Sequence, residues 1–495
     1  MNYVGTARPI HDAKGKATGY SKYAGDISLS NMAYLCMLHS KIPHGYVKAV
    51  HAEKALALPG VYGVYHCLNT SERKYNRYRS SFDQAYLANE ERAFNQYVRF
   101  VGDKIGAVAA CDQETAEKAA RLVEVEYEEL SFSIGFDDTL AGKNCLDGET
   151  PVRDEYELDV GEKQGSAEGL IEVCSTMELP RLHHATMETH ACIADYDPYS
   201  DMLTVYCPNQ AVHGIRTVLA DFLEMPESHV RVVKATMGGS FGAKQEWFLE
   251  PVTALVAKKL CRPVKLVYSR GEAMTDTIVR GAMRMSARGY YTPDGEMKEI
   301  YCDVTLDAGA YIGNAGDYVR ALAGKPTRCY RIPYMHYHGQ VISSNSPVSG
   351  AFRSWSAAEE ALMMERQLDA AAEKLGMDRL AIRLKNVARS GEEDKKLHLS
   401  LEDIRIGDAI TLGSEKFGWD KLKAEDAAFN ASQQRYRRGV GIGIGGHGNT
   451  YFPRFNDYGE GSISLNADGS MQANFTLHDH GCGTVTAMRM IAAEV

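Results

Sequence analysis

The stretch RFVGDKIGAVAACDQETAEKAARLVEVEYEEL, residues 99–130, decides the fold class of the N-terminal region. Residues 105–110 are small and apolar, which predicts a buried strand. Asp112 has a side chain able to cap a helix, and the Ala- and Glu-rich sequence after it predicts a helix over residues 113–122. In residues 123–128, apolar side chains alternate with Glu, which is typical of a strand with one solvated face. The order strand, helix, strand indicates an α+β fold.

The overall composition is that of an ordinary globular protein. The chain has 495 residues, which is enough for about three or four domains. Apolar residues make up 44% and charged residues 24% of it, and this mixture excludes a largely disordered chain. The formal net charge of −10 makes nucleic acid and anionic membranes poor partners. No apolar run approaches the ~20 residues that cross a bilayer, and the N-terminus is not expected to be a signal peptide.

The cysteines indicate neither a zinc ribbon nor an iron–sulfur cluster on this chain. There are 11 of them, and no two have the CxxC spacing that such sites normally use. We therefore expect reduced thiols and a cytoplasmic protein.

Changes in composition and periodicity divide the chain into five parts. We expect an α+β domain over residues 1–135, a linker over 136–167, alternating strands and helices over 168–388, a polar connection with one short helix over 389–438, and the start of an incomplete domain over 439–495. The clearest predicted helices cover residues 212–222, 250–260 and 361–375, and hairpins are predicted over 290–307 and around 466–469.

Three Gly- or Ser-rich turns are candidate binding elements. They are GGSFGAK (238–244), SGAFRSW (349–355) and HGCGT (480–484), and each is expected to precede a helix. Unpaired backbone N–H groups at a helix N-terminus attract anions. The turns could therefore converge on one large polyanionic ligand, or they could be three unrelated tight turns. None of them is a complete P-loop or GxGxxG motif.

A second candidate is the polar cluster of His183, His184, Glu188 and His190. Such side chains can bind a metal ion, but the spacing is not that of an HExxH helix. A structural role is favoured, since buried histidines usually make hydrogen bonds.

Arg353 and Trp355 allow two interpretations each. Arg353 could form a surface ion pair, or it could bind an anionic group with its guanidinium. Trp355 could pack in the core, or it could form a stacking wall for a planar ligand.

Taken in order, these segments resemble the molybdenum-binding subunit of the xanthine dehydrogenase and aldehyde oxidase family. The similar segments are IPHGYVKAVHAEKALALPGVYGV (42–64), residues 99–130, METHACIA (187–194), PNQ (208–210), MGGSFGAKQ (237–245), GAFRSW (350–355) and residues 480–495. MGGSFGAKQ is similar to the family's GGGFGGK turn, and GAFRSW is similar to its AFRGF segment. The implied fold is a hammerhead-like α/β domain followed by molybdopterin-binding α+β domains, the last one truncated.

The resemblance also implies roles for individual residues. The implied cofactor-binding residues are Gly239, Ser240, Phe241, Gly242, Gly481, Cys482, Gly483 and Thr484. Those implied to lie beside the molybdenum are Gln210, Phe241 and Arg353, and those implied to contact the substrate are Gln245, Arg320 and Trp355. Trp355 falls where the family places an aromatic ring that stacks on the substrate.

The chain departs from the family pattern in four respects, one of which is that Glu359 and Glu360 replace the usual Pro-Gln. Cys482 replaces a glutamine of the pterin turn, and Ser354 and Ser356 replace glycines on either side of Trp355. About the last third of the family sequence is absent, and this part carries the catalytic glutamate in a GxGE segment. No residue of this chain is therefore assigned as catalytic.

The implied function is that of a hydroxylase subunit that oxidises a purine or a related N-heterocycle, with water as the oxygen source. The implied cofactor is molybdenum with molybdopterin or its cytosine dinucleotide, while FAD and [2Fe-2S] clusters would belong to partner subunits. A further chain could supply the missing part. Two alternatives stay open: an aldehyde oxidoreductase subunit, and a catalytically incomplete remnant.

Overall fold

The computed structural model describes residues 2–78, 89–146, 150–163, 165, 168–432, 435–447, 459–477 and 479–495. The helices in these ranges are α1 (Ala13–Ala17), α2 (Glu53–Leu56), α3 (Gln113–Ala120), α4 (Phe136–Leu140), α5 (Val212–Leu223), α6 (Glu250–Leu260), α7 (Arg270–Asp276), α8 (Ala315–Leu322), α9 (Pro326–Cys329), α10 (Ala357–Leu375), α11 (Arg379–Asn386), α12 (Ile406–Phe417), α13 (Trp419–Ser432) and α14 (Thr484–Glu494). The strands are β1 (Ala33–His39), β2 (Gly45–His51), β3 (Val61–His66), β4 (Lys74–Tyr75), β5 (Glu91–Arg92), β6 (Tyr97–Val98), β7 (Lys104–Ala110), β8 (Glu124–Glu129), β9 (Val152–Gly161), β10 (Ile171–Leu179), β11 (Ala191–Asp197), β12 (Met202–Cys207), β13 (Val230–Lys234), β14 (Val264–Val267), β15 (Ala282–Tyr291), β16 (Met297–Gly309), β17 (Tyr334–Ser343), β18 (Glu393–Asp394), β19 (Leu399–Ser400), β20 (Gly461–Leu465) and β21 (Met471–Phe475).

The N-terminal unit confirms the α+β prediction made from residues 99–130. Strand β7 is buried along its whole length, as its apolar run predicts. The side chain of Asp112 caps α3 by accepting a hydrogen bond from the backbone N–H of Thr115. In β8, Val125 and Tyr127 are half-buried while the Glu residues around them are exposed.

One sheet of seven strands joins the N-terminal unit to the region that follows it. Its order within the described residues is β13-β12-β11-β14-β1-β7-β3. Strands β1 and β14 run parallel, with Ala33 opposite Val264. The boundary predicted near residue 135 therefore does not separate two sheets, because strand pairing can join segments far apart in the sequence.

A second sheet, of five strands, has the order β10-β15-β16-β17-β9. Strands β15 and β16 form the predicted hairpin. Strand β9 lies within the predicted linker 136–167, as does α4, so this segment is not a simple connection. The sequence of β9 is acidic, but Tyr156, Leu158 and Val160 face inward in alternation with exposed charges. This pattern of period two forms an edge strand in spite of the acidic composition.

Helices α6 and α10, which follow residues 238–244 and 349–355 along the chain, pack against strands of the two sheets. Helix α6 has the predicted bounds and packs against β11. Helix α10 begins four residues before the predicted start and packs on β10 and β15. Gly376 ends it in the left-handed region, with φ +63°, where glycine has no steric cost.

The C-terminal part contains more helix than expected. Residues 389–438 carry α12 and α13 instead of one short helix. Strands β20 and β21 form the predicted hairpin, and α14 follows it. Among the helices of the described ranges, none is both long enough and apolar enough to cross a bilayer.

Candidate functional site

The first turn, residues 238–244, follows β13 and has a left-handed backbone. Gly239, Phe241 and Gly242 have φ values of +96°, +53° and +100°. The backbone N–H groups of residues 239–242 donate to no acceptor within the described part of the chain. Contrary to expectation, this turn does not open a helix, since α6 begins only at Glu250. Its free N–H groups therefore come from the irregular backbone and not from a helix end.

The second turn packs directly against the first. The backbone N–H of Arg353 donates to the carbonyl oxygen of Phe241 over 2.9 Å. The turn precedes α10, as predicted. The side chain of Arg353 is exposed and makes no hydrogen bond or ion pair with any described residue. Its guanidinium is therefore available at the junction of the two turns.

Gln210 connects the first turn to the third. Its Oε1 accepts a hydrogen bond from the hydroxyl of Ser240 over 2.7 Å, and its Nε2 lies 2.7 Å from Nδ1 of His480. Its backbone N–H donates to the carbonyl oxygen of Lys244, also over 2.7 Å. Partial burial lowers the pKa of His480, which favours the neutral ring that accepts from the Gln210 amide. The three turns therefore lie together and are not unrelated.

The third turn differs from the prediction because its own Asp479 occupies several of its N–H groups. The Asp479 carboxylate accepts from the N–H groups of Gly481, Gly483 and Val485 over 2.6, 3.3 and 3.2 Å. Although burial opposes ionisation, these bonds hold the pKa of Asp479 below its ordinary value. Asp479 lies four positions before Gly483, the N-cap residue of α14, so a search for a capping residue directly before the helix does not find it. Cys482, within this turn, is exposed.

The histidine cluster fastens the turns to the sheet. Nε2 of His184 lies 2.8 Å from the carbonyl oxygen of Ala351, and Nε2 of His190 lies 2.9 Å from that of Ala243. Burial lowers the pKa of His184 to about 4 and that of His190 to about 3, so both rings are neutral and donate through Nε2. No group of three or more His, Cys, Asp or Glu side chains suited to a metal ion occurs among the described residues. The structural role favoured from the sequence agrees with these contacts.

A buried ion pair that the sequence analysis missed holds the start of the first turn. Glu188 accepts from Nζ of Lys244 over 2.5 Å and from the N–H of Gly238 over 2.7 Å. Lys244 is 1% exposed. More than 50 positions separate the two charged side chains, so no local pattern could have paired them.

The predicted substrate residues do not all lie together. Trp355 packs edge-to-face on Tyr318, with 5.7 Å between ring centroids. Arg320, in contrast, donates to Asp154 over 2.9 Å and lies 5.4 Å from the ring centroid of Tyr156 on strand β9. Two positions along a helix are about 200° apart, so Arg320 points away from the side of α8 that carries Tyr318. The structure therefore does not bring Arg320 to Trp355.

Replacing Gly242 with alanine should separate the first two turns. The added Cβ would lie 2.4 Å from the carbonyl oxygen of Ala351, at a backbone φ of +100°. We expect a loss of about 1–3 kcal/mol in the free energy of unfolding, measured with urea. Gly25→Ala is the matched control, because nothing lies within 4 Å of its added Cβ. Equal stability of the two variants would contradict the close packing of the turns.

Family comparisons cover almost the whole chain. Residues 18–131 match the family "Aldehyde oxidase and xanthine dehydrogenase, a/b hammerhead domain". Residues 152–387 and 412–495 match two families, each described as "Molybdopterin cofactor-binding domain".

Curated relatives show similarity of the same kind. A probable xanthine dehydrogenase subunit of Bacillus subtilis is 32% identical over 100% of this chain and 64% of its own length. "Xanthine dehydrogenase molybdenum-binding subunit" of Escherichia coli O157:H7 is 29% identical over 98% of this chain and 64% of its own length. "Nicotinate dehydrogenase large molybdopterin subunit" of Eubacterium barkeri is 29% identical over 77% of this chain and 88% of its own length. The chain thus spans 64% of the length of the xanthine dehydrogenase relatives.

Solved structures show the same fold. Quinoline 2-oxidoreductase from Pseudomonas putida 86 superposes with a TM-score of 0.87 at 21% identity, over 99% of this chain and 64% of that one. Aldehyde oxidoreductase from Desulfovibrio desulfuricans gives 0.86 at 22% identity, over 97% of this chain and 53% of that one. At these identities the similarity is one of fold.

Proposed function

Because the chain belongs to the molybdenum hydroxylase large-subunit family, we propose that its first turn, Gln210 and Arg353 hold a molybdenum–pterin cofactor in an enzyme that oxidises a purine or a related N-heterocycle. The observation that carries this proposal is the hydrogen-bonded connection from Ser240 through Gln210 to His480. It brings the first and third turns to one place, although 240 positions separate Ser240 from His480.

The chemistry of the donors fits such a group. Its phosphate oxygen atoms are hydrogen-bond acceptors. The unoccupied N–H groups of residues 239–242 and the exposed guanidinium of Arg353 are donors. When bound, the group supplies the oxidation by which oxygen from water is added to a carbon atom of the substrate.

The chain's own residues would then orient the cofactor and the substrate and stabilise charge that develops between them. Gln210 has a fixed amide orientation, since Ser240 donates to its oxygen and its nitrogen faces His480. Arg353 would stabilise negative charge that develops beside the first turn. Trp355 offers an aromatic ring for a flat substrate, and the half-buried Gln245 offers an amide for a ring carbonyl. These two residues favour a heterocycle over a simple aldehyde.

The proposed enzyme also contains polypeptide segments other than this chain. A glutamate acting as the base would come from the part that the longer relatives possess, carried by a further segment or by a separate chain. Electrons would leave through an iron–sulfur subunit and an FAD-binding subunit, as in a cytoplasmic hetero-oligomer. The 11 cysteines, all free thiols, are in keeping with that compartment.

Molybdenum content is the direct test. We expect the chain to bind molybdenum when it is co-expressed with a polypeptide that carries the remaining third of the family sequence, but not when it is expressed alone. In the co-expressed complex, Gln210→Leu should reduce the molybdenum content about threefold or more, because the buried Ser240 and the half-buried His480 each lose a hydrogen-bond partner. The measurement is metal analysis of the purified protein per mole of chain.

Gln472→Leu is the matched control, since Gln472 is exposed on β21. Absence of molybdenum under both expression conditions would support a remnant and contradict the proposal. A metal-loaded complex that oxidises aldehydes and leaves purines untouched would favour the aldehyde oxidoreductase alternative.

A further inference from the structure

The last two residues of the second turn and the residue that follows them are all in the left-handed region. Ser354, Trp355 and Ser356 have φ values of +77°, +26° and +68°. Residues other than glycine rarely adopt this backbone conformation, and a bulky residue there is an outlier. The turn therefore needs contacts that hold it in place.

Lys325 supplies such contacts from the loop between α8 and α9. Its Nζ donates to the hydroxyl of Ser356 over 2.8 Å and also to the carbonyl oxygen of Trp355. Lys325 is 8% exposed, and Ser356 and the nearby Glu360 are fully buried. A lysine buried in this way is costly unless its ammonium group is paired. Here two of its donors are directed at the turn.

We propose that Lys325 is a positioning residue that closes the 354–356 turn and thereby fixes the indole of Trp355 against Tyr318. The inference rests on the proposed function, in which Trp355 stacks on a flat heterocyclic substrate. A glycine at position 356 would offer no hydroxyl to the lysine. Lys325 and Ser356 therefore form a matched pair, in which the serine's hydroxyl helps to hold the conformation that its side chain disfavours.

Indole accessibility in the full chain tests this proposal without any substrate. The chain has three tryptophans, and the other two, Trp247 and Trp419, are only 2% and 6% exposed. We expect Lys325→Met to raise acrylamide quenching of the Trp355 emission about twofold, because the turn opens locally. The change should disappear when Lys325→Met is combined with Trp355→Phe.

Lys258→Met is the control, since Lys258 also donates to a backbone carbonyl, that of Leu223, but lies on α6. Ser356→Ala, which removes only the hydroxyl, should raise quenching in the same direction and by less. A folded Lys325→Met protein with the quenching of the parent would overturn the proposal. If Lys325→Met does not fold, unchanged quenching in Ser356→Ala overturns it instead.

Kinetics of the assembled enzyme separate this proposal from the proposed function. Lys325→Met should raise KM for the heterocycle about five- to tenfold with a much smaller change in kcat, as expected for loss of uniform binding. Increased quenching with an unchanged KM would contradict a role of the Lys325 contacts in substrate binding. If quenching increases in a complex that oxidises no heterocycle at all, the positioning role of Lys325 is supported and the proposed function is refuted.

Discussion

Replacing Lys104 with methionine should lower the free energy of unfolding of the chain by about 3–5 kcal/mol. Lys104 is 0% exposed, and its Nζ lies 3.2 Å from Oε2 of Glu91 and 3.8 Å from Oδ1 of Asp276. Both carboxylates are also buried, at 2% exposure each. Removing the shared cation would leave buried negative charge without full compensation, and this penalty exceeds what the methionine side chain gains by packing.

Lys48→Met is the matched control for this prediction. Nζ of Lys48 lies 2.7 Å from Oε2 of Glu128, which is closer than the buried pair, but both side chains are more than half exposed. Such pairs contribute less than about 1 kcal/mol. The measurement is the midpoint and slope of urea-induced unfolding for both variants. Similar losses would show that burial does not determine the strength of the Lys104 contacts.

The second large effect concerns activity. In the enzyme complex proposed above, Arg353→Ala should lower kcat/KM for the heterocyclic substrate about 10²-fold, which is typical for the loss of one donor at a developing negative charge. The backbone N–H of Arg353 donates a hydrogen bond to the carbonyl oxygen of Phe241. The Arg353 backbone therefore lies next to the first turn. Because the guanidinium has no partner among the described residues, its removal should cost binding and turnover and little stability.

Three measurements make the Arg353 prediction specific. Arg121→Ala is the control, since Arg121 is exposed and paired with Glu117 on the distant helix α3, and it should retain parental activity. Arg353→Lys keeps the charge but loses the planar fork, so an intermediate activity is expected. Molybdenum content of each variant shows whether the loss lies in cofactor binding or in turnover. Activity of Arg353→Ala within twofold of the parent would contradict the proposed role.

The secondary structure near the site could be predicted well from the sequence, because local signals agree there. The apolar run of residues 250–260 predicts α6 with its observed bounds, and the alternation of β8 reflects its one solvated face. The prediction was wrong where an acidic or charged composition indicated a connection while the periodicity indicated a strand or a helix. Acidic residues concealed β9, and the charge density of residues 389–438 concealed α12 and α13.

The candidate site was predictable as a set of turns but not as a set of contacts. GGSFGAK identifies irregular backbone that can expose N–H groups, since Gly239 and Gly242 permit left-handed conformations. In GAFRSW the left-handed residues are Ser354 and Trp355, which no glycine pattern predicts. The partners of those turns come from distant segments. Lys244 pairs with Glu188, and Lys325 donates to Ser356.

The sequence by itself determined the elements whose local signals agree, such as β7, α3 and α6, because these depend on periodicity, capping and chain composition within a few residues. Only the tertiary structure decided what the turns contact. In it, Gln210 bonds both Ser240 and His480. Asp479 accepts hydrogen bonds from N–H groups of the third turn, and Arg320 donates to Asp154. The physical reason is that these hydrogen bonds connect side chains whose distance is set by the packing of whole sheets and helices, and no local pattern records that distance.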